Sequence, residues 1–139
     1  MTDTPFKTTF DKTNRILHEI EQEYGWPRER RSQSYLALRA VLHALRDRLT
    51  VEEAAQLAAQ LPLLVRGVYY EGWDPSRVPV KMDREEFLQR IRQEFRYDVE
   101  GGVERLIRTV LQALRSHITD GEWEDIKSSM PKDLAPALP

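Results

Sequence analysis

Apolar residues recur along the chain at three- and four-residue spacing, the period of an α-helix. Ile16, Leu17, Ile20 and Tyr24 form one such stripe and predict a first helix from Asp11 or Asn14 to Tyr24. Pro5 and Phe6 open a short polar arm before it, and Gly25 then Pro27 end it in the usual order of a helix stop. Ser32 or Ser34 is placed to cap a second helix, where Leu38, Val41, Leu42, Leu45 and Leu49 make the clearest stripe, up to Thr50. Thr50, with Glu53 three residues on, spells a capping box for a third, alanine-rich helix from Val51 to Gln60, closed by Leu61 and Pro62. Residues 63–80 are the irregular stretch: beyond a helical turn reaching to Val68 or Tyr70, Gly72, Pro75 and Pro79 punctuate a loop. Asp83 and Glu86 spell a second capping box for a fourth helix, whose Phe87, Leu88, Ile91 and Phe95 face inward. After a break at 98–102, a fifth stripe runs through Val103, Leu106, Ile107, Val110, Leu111, Leu114 and Ile118. Thr119 and Glu122 begin a sixth helix through Trp123 and Ile126, closed by Met130 and Pro131. Proline-rich residues 132–139 are expected to form a loose tail.

The two halves repeat each other. At an offset of 69 residues, 38–46 lies over 107–115 without a gap, and Leu49–Thr50 lies over Ile118–Thr119. Glu53 falls on Glu122, Leu57 on Ile126, and Leu61–Pro62 on Met130–Pro131. With a two-residue shift, Ile16, Ile20 and Tyr24 match Phe87, Ile91 and Phe95. The fold class that follows is all-α, a six-helix bundle of two similar three-helix units, 10–70 and 83–131, related by internal duplication. About 60 residues make a marginal core alone, so the units are expected to pack face to face as one domain spanning 1–139.

Composition narrows the possibilities. The length of 139 residues suits one domain. The chain has 21 basic and 23 acidic residues, evenly spread, so neither half reads as a basic nucleic-acid module. Sixteen of the basic residues are arginine, the side chain suited to two-pronged grips on carboxylates and phosphates. There is no cysteine, which excludes a disulfide scaffold and thiol chemistry. No apolar run nears the roughly 20 residues that span a bilayer, and Met1–Phe6 shows no leader pattern; the expected location is cytoplasmic, with no membrane partner.

Candidate chemistry is sparse. His18, His43 and His117 lack metal-ligand spacing, no phosphate loop or nucleophile elbow is present, and no cofactor, metal or catalytic residue is expected. Arg39 and Arg46 share a helical face with His43 between them, and Arg108, Gln112 and Arg115 repeat the arrangement. Either these arginines hold an anion or a partner carboxylate, or they pair internally with repeated acids such as Glu53 and Glu122. The segment containing Arg66, Tyr69, Tyr70 and Trp73 interrupts the repeat and carries the residue types that dominate interface hot spots. Its aromatics either form a binding surface or pin the linker onto the core.

The runs 38–49 and 59–73, with Glu52–Glu53, Phe87–Leu88 and Gly121–Glu122, resemble the bacterial family catalogued as domain of unknown function 2267, from about Phe10 to Pro131. The resemblance implies a small bacterial, cytoplasmic, all-helical protein and no particular reaction. The function expected is a non-enzymatic interaction module that binds a partner protein, or a second copy, through Arg66–Trp73 or the paired arginine faces. The alternative is a nucleic-acid or nucleotide-associated accessory protein using Arg28, Arg30 and Arg31, or Arg84, Arg90, Arg92 and Arg96.

Overall fold

A computed structural model describes residues 4–138. Met1–Asp3, where the absence of a leader was partly read, and Pro139, the end of the expected tail, lie outside the described residues. Among the described residues the chain forms seven α-helices and three short 3-10 turns, with no strand. The helices are α1 (Thr4–Tyr24), α2 (Arg31–Arg48), α3 (Val51–Ala58), α4 (Leu63–Tyr70), α5 (Arg84–Glu94), α6 (Gly102–Leu114) and α7 (Asp120–Ser129).

Local chemistry explains most boundaries. Thr50 Oγ1 accepts from Glu53 N–H while Glu53 returns to the Thr50 backbone, and Asp83 with Glu86 does the same for α5. Thr119 Oγ1 accepts from Glu122 N–H at 3.2 Å. Its own N–H is taken instead by the Gln60 side chain at 2.8 Å, which ties the end of α3 to the start of α7. Gly25 ends α1 and Gly101 precedes α6, both at positive φ. A Cβ on Gly101 would also lie 2.6 Å from Arg105 Cδ, so backbone and space both require glycine there.

Four elements differ from the pattern-based reading. α1 begins at Thr4, not near Asp11: Pro5 sits in the first turn, where its missing N–H is not needed, and Phe6 and Phe10 continue the apolar stripe. α2 starts at Arg31, and Ser34 is no cap; it is buried and donates to Glu21 at 2.6 Å. The helical turn after Pro62 is a complete helix, α4, which gives seven helices in place of six. The tail is not loose over its described part. Leu134 is buried, and Ala135 and Leu138 pack against the core.

α2 is the central element. Its Ala37, Leu38, Ala40, Val41, Leu42, Ala44 and Leu45 are all buried, and it packs against α1, α4, α5 and α6. The small alanines let these neighbours approach closely. The pairing crosses between halves, with α5 against α2 and α1 against α6. Stacked rings link the ends of α1 and α5: Tyr24 on Trp26 at 4.5 Å, and Trp26 near Phe95 at 6.3 Å.

Because Leu134 fills the core, Leu134→Ala is expected to cost about 2–4 kcal/mol in a urea melt. A loss under about 0.5 kcal/mol, typical of a surface change, would show that the tail does not contribute to the core.

Candidate functional site

The polar stripe of α2 gathers the charged side chains that matter most. Positions 39, 43, 46 and 47 follow helical spacing, so they project as one row. The row faces the C-terminal end of α4 and the last turn of α5. His43 is only 3% exposed. Its Nε2 donates to Val68 O at 2.7 Å, and its Nδ1 lies 3.0 Å from both Glu94 carboxylate oxygens. The ring is thus held between the Val68 carbonyl and the Glu94 carboxylate. Arg39 bridges Glu71 at 2.9 Å and Glu94 at 3.0 Å. Arg90 joins Glu94 at 2.9 Å to Asp47 at 3.1 Å. Arg46 donates to Tyr69 O and Glu71 O, both at 2.8 Å, and to Asp47 at 2.9 Å. Carbonyls at the end of α4, where a helix runs short of backbone donors, are thus bonded by side chains from α2.

This arrangement accounts for Glu94. Burial pushes its carboxyl up, but the hydrogen bond and charge of His43, with those of Arg90, outweigh burial and hold it down from 4.5 to about 2. A second buried carboxylate behaves similarly. Burial raises Glu21, while the hydrogen bonds from Arg31 and Ser34 lower it further than burial raises it; Arg31 also reaches Asn14 at 2.8 Å. Neither cluster is an open acid–base pair, because every ring nitrogen and carboxylate in them already has a partner. Among the described residues no group of three or more His, Asp or Glu side chains is placed to hold a metal ion.

The residues singled out from sequence separate into scaffold and surface. Tyr69 is fully buried and donates its hydroxyl to Ala54 O at 3.0 Å, so it belongs to the core and not to a binding surface. Arg66 is spent on the end of α3, donating to Ala58 O at 2.8 Å and Leu61 O at 3.2 Å. Tyr70 and Trp73 are half-buried, with ring centroids 5.2 Å apart. Trp73 Nε1 is buried without a hydrogen-bond partner among the described residues. Arg39, Arg46 and Arg115 are engaged within the fold, but not by Glu53 or Glu122; Arg115 takes Asp120 at 2.6 Å and Ile118 O at 2.9 Å. Arg108 is exposed, beside a groove between α1 and α6. Of the other arginines, Arg31, Arg84 and Arg90 sit in ion pairs. Arg28, Arg30, Arg92 and Arg96 are exposed, and Arg30 shares a shallow cleft with Tyr97.

One surface was missed by the sequence reading. Phe6 and Phe10 on α1 are 63% and 59% exposed, and Leu63 and Leu64 on α4 are 53% and 45% exposed. Leu64 N–H donates to Thr9 Oγ1 at 3.0 Å, so the start of α4 abuts the first turns of α1, which carry Phe6 and Phe10. A cleft of about 340 Å³ opens beside Phe6, Lys7, Phe10 and Asp11. The signal was present as Phe6, Phe10 and Leu17 at helical spacing, but Pro5 made the segment read as an arm.

An all-helical chain with an ionic row along its central helix is the class these observations define. Residues 13–137 match the model of a family described as an uncharacterized conserved protein, DUF2267, and the chain belongs to that family. A comparison with curated proteins found no match. No helix among the described residues is long and apolar enough to cross a membrane.

Two outcomes are expected. Glu94 is held below its ordinary 4.5, so the stability it contributes is complete above that value and is lost as pH falls toward about 2. Glu94→Gln leaves Arg39, His43 and Arg90 facing a neutral amide and is expected to cost about 3 kcal/mol in urea melts at neutral pH. The same variant should lose less stability between pH 5 and pH 2 than the parent, by about the contribution of one shifted carboxylate; an unchanged acid limb would remove Glu94 from that role. Trp73→Ala is expected to cost about 1–3 kcal/mol, below the range of a fully buried aromatic.

Proposed function

We propose that this protein is a non-enzymatic interaction module of the bacterial cytoplasm, built by internal duplication of a three-helix unit, that binds a partner protein. Support for the duplication comes from matched details. Thr50 and Thr119 cap equivalent helices, and Leu49 N–H to Arg46 O at 3.1 Å matches Ile118 N–H to Arg115 O at 3.2 Å. Support for a non-catalytic role comes from the stripe on α2, whose histidine and carboxylates serve to dock helices.

The observation that carries the binding role is the apolar end formed by Phe6, Phe10, Leu63 and Leu64. Taking roughly 200 Å² for a fully exposed side chain of this size, they leave on the order of 400 Å² uncovered, the scale of a monomer's largest and often functional patch. That is about half of what one partner contributes to a standard interface, so a short amphipathic segment suits it better than a broad flat surface. Binding through Phe6, Phe10, Leu63 and Leu64 leaves Arg66 and Tyr69 to their contacts within the fold.

The test is a comparison of baits. Phe6→Glu with Phe10→Glu changes exposed positions, so the urea midpoint should move by no more than about 0.5 kcal/mol equivalent per site. The doubly substituted bait should lose a specific protein that wild type captures, and that protein, once purified, should bind wild type and not the variant. Equal binding to both baits would reject this surface. A second reading, the nucleic-acid accessory role, is favoured by the convergence of Arg30 and exposed Tyr97 on one cleft, although Glu29 and Asp98 in the same lining offset its charge. It requires binding to a single-stranded oligonucleotide that weakens steeply with salt.

A further inference from the structure

The stripe on α2 has a counterpart on α6 that faces open space. At the 69-residue offset, Arg39, His43 and Arg46 correspond to Arg108, Gln112 and Arg115. The first two positions on α2 are filled from within the chain: Arg39 by the carboxylates of Glu71 and Glu94, and His43 by Val68 O and Glu94. The first two positions on α6 line a groove of about 460 Å³ against α1, together with Glu19, Gln22, Glu23 and Thr109. Clefts of roughly 300–1,000 Å³ are the usual size for bound ligands. Among the described residues no hydrogen bond or ion pair engages the Arg108 guanidinium or the Gln112 amide.

The acidic residues of the groove fit the same correspondence. At the 71-residue shift of the first helix of each unit, Glu94 matches Glu23. Glu23 lines the groove beside Arg108 but pairs with Arg105, which lines it too, at 3.5 Å, so Arg108 is left for a carboxylate that enters from outside. The third position is closed. Arg115 is bonded to Ile118 O and Asp120 and lies over the Trp123 ring at 5.1 Å. Trp123 stands at the offset of Ala54, the residue whose carbonyl receives Tyr69. The groove therefore repeats the polar part of the seat that holds α4, without its aromatic socket.

We propose that the groove between α1 and α6 binds the C-terminal end of a partner's helix, one that offers a free backbone carbonyl to Gln112 and, three residues on, an acidic side chain to Arg108. Those are the groups and the spacing that Val68 and Glu71 present to His43 and Arg39. The inference rests on the correspondence of the two halves put forward above, and it concerns a different face from the apolar α1/α4 end.

The probe is a helix-stapled, fluorescently labelled peptide of the sequence Leu63–Trp73, titrated by anisotropy with the full chain at low salt. Saturable binding is expected, weakened at least about tenfold by Arg108→Glu, the scale of one charge-assisted contact. A peptide carrying Glu71→Lys should lose as much. Arg108 is exposed, so Arg108→Glu should keep the wild-type urea midpoint. No binding at millimolar peptide, or binding indifferent to Arg108→Glu, overturns the proposal; the second result would mean that the peptide replaces α4 on α2. Gln112→His recreates the first half's side chain and should tighten the complex. If it does not, while Arg108 is still required, the correspondence of the halves fails and the groove stands.

Discussion

The seating of α4 and α5 on the central helix follows from how α2 satisfies its polar row. Apolar packing supplies most of the attraction between helices, but it is nearly indifferent to small slides and rotations. Hydrogen bonds to fixed carbonyl and carboxylate oxygens are not. His43 between Val68 O and Glu94 sets α4 and α5 in one register on α2, and Arg46 locks the last turn of α4 from the side. Burying such charges costs desolvation that their attraction barely offsets. The return is a single way of assembling helices whose alanine-rich contacts would otherwise tolerate several.

The same solution recurs where α1 meets α2. Glu21 is buried beneath Arg31 and Ser34, and Arg31 continues to Asn14 one stretch earlier on α1. Helix ends are handled likewise by distant side chains. Arg66 caps α3, Arg46 and His43 cap α4, and Arg48 reaches Ser129 O at the end of α7 at 2.8 Å. The abundance of arginine over lysine takes on structural meaning here: a planar, many-pronged donor can reach two carbonyls or carboxylates at once, and an ammonium cannot do so in the same geometry.

What could be read from the residues followed local rules. The stripes of α2, α5 and α6 and the caps at Thr50, Asp83 and Thr119 depend on neighbours within four positions, so the sequence displays them directly. Helix α4 was read short because Gly67, Gly72 and the flanking prolines resemble loop punctuation; burial of Val65 and Tyr69 overrides that propensity. The tail was misread for a similar reason, its prolines being compatible with a 3-10 turn held by Leu134. The partners of Arg39 and His43 were beyond local reasoning. Glu71 and Glu94 lie 32 and 51 residues or more away, and no spacing rule selects them over Glu53 or Glu122. Exposure was equally invisible: Tyr69 and Phe10 are both aromatic and near helix ends, yet one is fully covered and the other is not.

The crossed pairing of α2 with α5 and of α1 with α6 bears on how the chain acquires its structure. α1 packs on α6 as extensively as on α2 of its own half, and α5 packs chiefly on α2, so part of the apolar surface of each half is covered by the other. The contacts that close the core join residues far apart along the chain, and the loop entropy for bringing them together must be met before they form. A nascent chain released only through α4 would still expose the faces of α1 and α2 reserved for α6 and α5, which makes the interval before the second half emerges the period of greatest exposure to aggregation.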